Sequence, residues 1–127
     1  MAAKKASRKR HHFDPVYSQW HQRFPEFPGI ECCLEIFRST DDFRGNWQDV
    51  AWMEMSLNAE ANIEEYISVA KREVARQGAH AYTVLWTLAY NPHPKCKELF
   101  QTLLDHPDEK FRKMAGQGLK NLSKRSK

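Results

Sequence analysis

The chain has 127 residues and a net charge of +4, with 41% hydrophobic and 12% aromatic residues. That composition belongs to a folded chain of single-core size and excludes a disordered one. No apolar run is long enough to cross a bilayer, and three cysteines, two of them the adjacent pair Cys32-Cys33, do not build a disulfide framework. The basic start "MAAKKASRKRHH" lacks the apolar stretch of a secretory signal, so a reducing, cytoplasmic setting is expected.

In chain order, residues 1–12 read as a disordered basic arm. Asp14-Pro15 reads as an N-cap followed by proline at the first helical position, opening a short helix with Val16, Tyr17, Trp20 and Phe24. "FPEFPG" breaks it. Ile30, Cys33, Leu34 and Phe37 then recur at the spacing of one helix face. After the loop "STDDFRGN", Asn46 is expected to cap a helix through about Leu57 that carries Trp47, Val50 and Met53. Ile63, Tyr66, Ile67, Ala70 and Val74 form the stripe of the next helix, with Gly78 as its stop. Ala81, Val84, Leu85 and Leu88 mark a fifth helix, closed by "NPHP". Cys96, Leu99, Phe100 and Leu103 mark a sixth, and Phe111, Met114, Ala115, Gly118, Leu119 and Leu122 a seventh. No segment alternates with period two, so the predicted class is all-α, with short connections making successive helices antiparallel.

Charge is segregated along this string. Residues 1–25 hold six Lys/Arg against one Asp, residues 26–65 two against ten Asp/Glu, and residues 66–127 twelve against five. Such asymmetry speaks to partners: the basic ends suit nucleic acid or an acidic surface, the acidic middle a basic protein.

The segment "LFQTLLDHPDEKFRKMAGQGLKNL" resembles the HEAT-repeat pattern. Leu103 and Leu104 stand as its paired leucines, Pro107-Asp108 as its turn and Phe111-Arg112 as its aliphatic-Arg pair. Ala115 and Gly118 take the small positions, and Leu119 and Leu122 the closing apolar ones. Phe111 replaces the usual Val or Ile, and His106 stands where the family often has Asp. "YISVAKREVARQGAHAYTVLWTLAYN" reads as a degenerate upstream copy. The resemblance implies a HEAT-like α-α superhelix of about seven short helices. Residues 13–123 then make one helical domain, with 13–57 as capping helices, 58–123 as HEAT-like hairpins and 124–127 as a basic tail. It also implies that the second helix of each hairpin lines a concave binding face.

Two stretches could make that face, or another, a docking surface. Tyr82, Trp86 and Tyr90 recur at i, i+4 and i+8 with Thr83 and Thr87 beside them. This is either an interface hot spot or, as a helix apolar all round suggests, a surface buried under Trp20, Phe24 and Phe27 of the first helix. Burial is the expectation. In the acidic block, Asp41, Asp42, Asp49 and Glu54 interleave with Trp47 and Trp52, carboxylates around aromatic anchors that would complement a basic partner. The expected function is therefore a non-enzymatic protein-binding module, most concretely an inhibitor or immunity-type protein that occludes a basic toxin or enzyme.

The rival expectation is nucleic-acid binding by Lys110, Arg112, Lys113, Lys120, Lys124 and Arg125 with the N-terminal arm. The C-terminal segment is also similar to HEAT-like alkylpurine DNA glycosylases. It departs from them in length and in having Gln117-Gly118 where they often carry Trp-Ala, and their catalytic acid has no counterpart in it, so that activity is not expected. No cofactor or metal is expected either. His93 and Cys96 have the H-x-x-C spacing of one ligand pair, but a structural zinc needs a second pair. There is no phosphate loop, nucleophile elbow or H-E-x-x-H. Cys32 and Cys33 lie beside a helix start, where a thiol pKa can fall, without a recognisable histidine partner.

Overall fold

The computed structural model describes residues 15–39 and 47–125. These residues are helical and include no strand: α1 (Pro15–Arg23), α2 (Ile30–Arg38), α3 (Trp47–Leu57), α4 (Ile63–Ala75), α5 (Ala81–Tyr90), a 3-10 turn (Pro94–Cys96), α6 (Lys97–Leu103) and α7 (Glu109–Arg125). Among the described residues no helix is long and apolar enough to cross a membrane. The arm 1–12, the Asp14 and Asn46 caps, Asp41, Asp42 and the end of the basic tail lie outside the described residues. Where the sequence suggests one domain over 13–123, two compact units are found. The first ends at Glu54 and the second begins at Met55, within α3.

The first unit is built around Trp20, which is fully buried. Its ring lies 4.8 Å from that of Phe24 and 5.4 Å from that of Trp47, and Phe24 and Trp47 are 6.3 Å apart. α1 stops as the Phe24 N–H closes a last turn onto the Trp20 carbonyl at 2.7 Å, and Pro25 and Pro28 offer no donors beyond it. Gly29 enters α2 at φ 104°, a conformation that costs a residue without a Cβ little. α2 then buries Ile30, Cys33 and Leu34, at i, i+3 and i+4.

The second unit consists of two helical hairpins, α4–α5 and α6–α7. Tyr66 anchors α4 by donating its hydroxyl to the Met55 carbonyl at 2.8 Å. α4 ends in a Schellman turn, in which the Gly78 N–H reaches the Glu73 carbonyl at 2.8 Å and the Gln77 N–H that of Val74 at 3.2 Å. The left-handed residue is Gln77, at φ 54°, one position before the glycine expected to stop the helix. Gly78 is needed for room. A Cβ there would overlap the carboxylate of Glu73, which is fully buried. Glu73 is held by Arg72, 3.0 Å from its Oε2, and by Arg76, at 2.5 Å. Burial acts to raise its pKa, but hydrogen bonds from Arg72, Arg76 and the His80 N–H outweigh it and hold the carboxyl below its ordinary range.

The turn between α6 and α7 is built as the sequence suggests, with one substitution of role. Asp108 caps α7 by accepting the Lys110 N–H at 2.9 Å. His106, in the place where an Asp was expected from the resemblance, accepts the Asp108 N–H on Nδ1 at 3.0 Å. Gly118 lets α7 close onto α6, since an added Cβ would stand 2.5 Å from the ring of buried Phe100. The core of this unit also holds Val84, Leu85 and Leu88 of α5, each contributing about 1.5–3 kcal/mol by burial.

Candidate functional site

The second helices of the two hairpins, α5 and α7, pack side by side and run parallel. Three contacts fix their direction. At the beginning of both helices, Lys110 Nζ lies 5.8 Å from the centre of the Tyr82 ring. Towards the end of both, Asn121 Nδ2 donates to the Ala89 carbonyl at 2.8 Å, and the Arg125 guanidinium donates to the carbonyl of Pro92. Gln117 steadies Asn121 by donating to its Oδ1 at 2.9 Å. Asn121 thus satisfies a carbonyl in the last turn of α5, which has no intrahelical partner of its own.

This arrangement brings two rows of side chains onto one face. On α5 the row is Tyr82, Trp86 and Tyr90. The expected burial does not hold: Tyr82 is 43% and Tyr90 46% exposed, and Trp86 is half-buried, its ring 4.4 Å from that of Tyr90. Within the second unit α7 meets α5 along the edge that carries Ala89, so it does not cover the tyrosines.

On α7 the row is cationic. Lys110, Lys113, Lys120, Lys124 and Arg125 are all exposed and, at 100° per residue, fall within about 140° of the helix circumference. They cover about 21 Å of its length from Lys110 to Lys124. Arg112 leaves the group: it turns back to the α6–α7 turn and donates to the carbonyls of His106 and Pro107 at 2.8 and 2.9 Å. Glu109 is the one acidic residue of α7 and pairs with Lys113 at 3.3 Å, while α5 has none. The first helices of the hairpins, α4 and α6, are scored by a groove of about 400 Å³ lined by Val74, Leu99 and Leu103 with Lys71, Glu98 and His106 at its polar positions.

The described residues of the acidic block divide between core and surface. Trp47 is 4% and Glu54 6% exposed. Both lie on the inward stripe Trp47, Val50, Ala51, Glu54 and Met55, whose i, i+3, i+4, i+7, i+8 spacing was available in the sequence. Glu54 has His21 3.8 Å away. Trp52 is half-buried with its ring 5.4 Å from Phe37, and Asp49 is exposed.

Thiol and metal chemistry find little support in the geometry. The Cys33 thiol is pushed up to about 12, by burial first and then by Cys32 and Glu54. Burial also raises Cys32, against the downward pull of Arg23, so neither thiol has the lowered pKa that the helix start suggested. Cys96 is buried and pushed up to about 11. His93 caps the 3-10 turn, accepting the Lys95 N–H on Nδ1 at 3.1 Å. Among the described residues no three His, Cys, Asp or Glu side chains come together as a metal site would need. No protein family, curated protein or solved structure matches the chain.

Proposed function

We propose that the second unit is a HEAT-like pair of hairpins that binds nucleic acid through the α5–α7 face. The observation that carries the reading is the parallel packing of α5 and α7, which lays four exposed lysines, with Arg125 held at the Pro92 carbonyl, beside exposed Tyr82 and Tyr90 and half-buried Trp86. Phosphates neutralised by such a row release counterions, which supplies most of the affinity of a sequence-independent contact. The aromatic row adds surface for base or sugar packing. The reading that a basic protein docks on the acidic block loses support, because Trp47 and Glu54 belong to the core.

Binding of a fluorescent oligonucleotide, followed by anisotropy between 50 and 200 mM salt, tests the proposal. With four or five phosphates neutralised, affinity should fall roughly 100-fold across that range. The triple variant Lys113→Glu/Lys120→Glu/Lys124→Glu should abolish binding while leaving helicity intact. Salt-independent binding, or full affinity in the triple variant, would remove nucleic acid as the ligand of this face.

A further inference from the structure

The proposed nucleic-acid face has a geometry that distinguishes single strands from duplexes, and we infer that its ligand is a single-stranded polynucleotide, with bases stacked on the α5 aromatics and phosphates on the α7 cations. The inference rests on the preceding proposal and adds the class of strand.

Two aromatic platforms are present rather than one. Trp86 and Tyr90 lie ring against ring, 4.4 Å apart at an interplanar angle of 34°. Tyr82 stands by itself one turn earlier, with Lys110 on one side of its ring at 5.8 Å. At 1.5 Å per residue, Tyr82 and the middle of the Trp86–Tyr90 pair are about 9 Å apart along the helix axis. In a B-form strand each nucleotide advances only about 3.4 Å, and its base faces are covered by neighbouring bases. A duplex presents base edges in its grooves and phosphates outside, so it offers nothing that two separated ring platforms can stack on. A single strand can splay its bases onto both.

The cationic row is placed for the backbone of the same strand. Because α5 and α7 run parallel, the line from Lys113 through Lys120 to Lys124 follows the same direction as the aromatic row. The axes of packed helices lie about 8–10 Å apart. Bases over α5 and phosphates over α7 is therefore one continuous arrangement for one strand. Charge complementarity selects a polyanion. The exposure of the two tyrosines, 43% for Tyr82 and 46% for Tyr90, selects one with unpaired bases. DNA and RNA share this chemistry, and the experiment separates them.

The test uses the full chain and four labelled probes read by anisotropy at fixed salt: 12-nucleotide oligo-dT, 12-nucleotide oligo-U, a 12-base-pair DNA duplex and heparin fragments. The expected result is at least tenfold tighter binding of one or both single strands than of the duplex. Tyr82→Ala/Tyr90→Ala, both at exposed positions, should weaken the single strand at least tenfold and leave the duplex unchanged. Lys113→Ala/Lys120→Ala/Lys124→Ala should weaken every probe and flatten the salt dependence. A urea midpoint equal to wild type certifies that each variant is folded. Equal affinity for duplex and single strand, with no effect of the tyrosine variant, overturns the single-strand inference and leaves the nucleic-acid reading standing. Heparin bound as tightly as any strand, again without tyrosine dependence, reduces the face to a general polyanion surface and also overturns it. No salt-sensitive binding to any probe overturns both.

Discussion

Gly118→Ala and Gly116→Ala place the same methyl group on the same helix, two residues apart, and should change stability in opposite directions. At Gly116 an added Cβ meets nothing within 4 Å. The substitution then collects only the gain in helix propensity, about 0.5–1 kcal/mol. At Gly118 the Cβ would stand 2.5 Å from two carbons of the Phe100 ring and 2.8 Å from a third. Comfortable carbon contacts lie at about 3.5–4.0 Å, so the overlap is about 1 Å on three atoms at once. Phe100 is fully buried, so its ring can yield only by displacing its own neighbours in the core. Overpacking of this kind costs about 1–3 kcal/mol, and several overlapping atoms put it in the upper part of that range. Subtracting the propensity gain leaves a net loss of about 1–2 kcal/mol. Urea unfolding followed by far-ultraviolet circular dichroism would read it: with m near 1.5 kcal/mol/M the Gly118→Ala midpoint falls by roughly 1 M while that of Gly116→Ala rises. Phe100→Leu, itself destabilising, should lose less stability in the Gly118→Ala background than in wild type, because the smaller side chain relieves the overlap. If both alanine variants moved the midpoint the same way, the close approach of α7 to Phe100 would be refuted.

Three further outcomes follow from the buried polar groups and caps. Glu73 has a folded pKa below its ordinary 4.5, so its ion pairs stabilise the fold above that pH and the contribution disappears as pH falls through the folded value. Between pH 5 and 2 the stability of wild type should therefore drop more steeply than that of Glu73→Gln, and parallel curves would contradict the assignment. With Cys33 at about 12 and Cys96 at about 11, both buried, a thiol reagent at pH 8 should find only half-buried Cys32 in the native protein and all three cysteines after unfolding. Two or more fast native thiols would count against that packing. Asp108→Ala should cost about 1 kcal/mol by removing the α7 cap, with Asp108→Asn close to wild type in a melting experiment.

Much of the second unit was legible because its signals are local and periodic. The stripes of α4, α6 and α7, the Pro107-Asp108 turn and the close approach at Gly118 all depend on spacing and residue size within one hairpin. Periodicity assigns residues to faces, but it does not say what a face meets. For α5, apolar all round, the pattern favoured burial on every side, and Tyr82 and Tyr90 emerged exposed. For α3, Glu54 was read by its charge, although its spacing from Trp47 and Val50 put it on the inward stripe. Glu73 was passed over because a carboxylate is ordinarily solvated, although it follows Ala70 by three residues and Tyr66 by seven, on the buried side of α4. Here Arg72 and Arg76 remain exposed and fold their guanidinium groups over a carboxylate that is itself interior. The neutral-looking His106 and Asn121 carry hydrogen bonds whose partners are fixed only by the turn and by the neighbouring helix.

The distribution of tryptophan across the two units has an optical consequence. Trp20, Trp47 and Trp52 all precede the boundary at Glu54, and Trp86 is the only indole after it. Two of the first three differ from Trp86 in environment, since Trp20 and Trp47 are fully or nearly fully buried and Trp86, like Trp52, is half-buried against another ring. Trp86→Phe therefore makes tryptophan emission a signal of the first unit alone, and its difference from wild type isolates the second. The same native side chains thus give each unit its own spectroscopic channel. Two coincident melting curves would mark one cooperative folding unit, and two separated curves would give each unit a stability of its own.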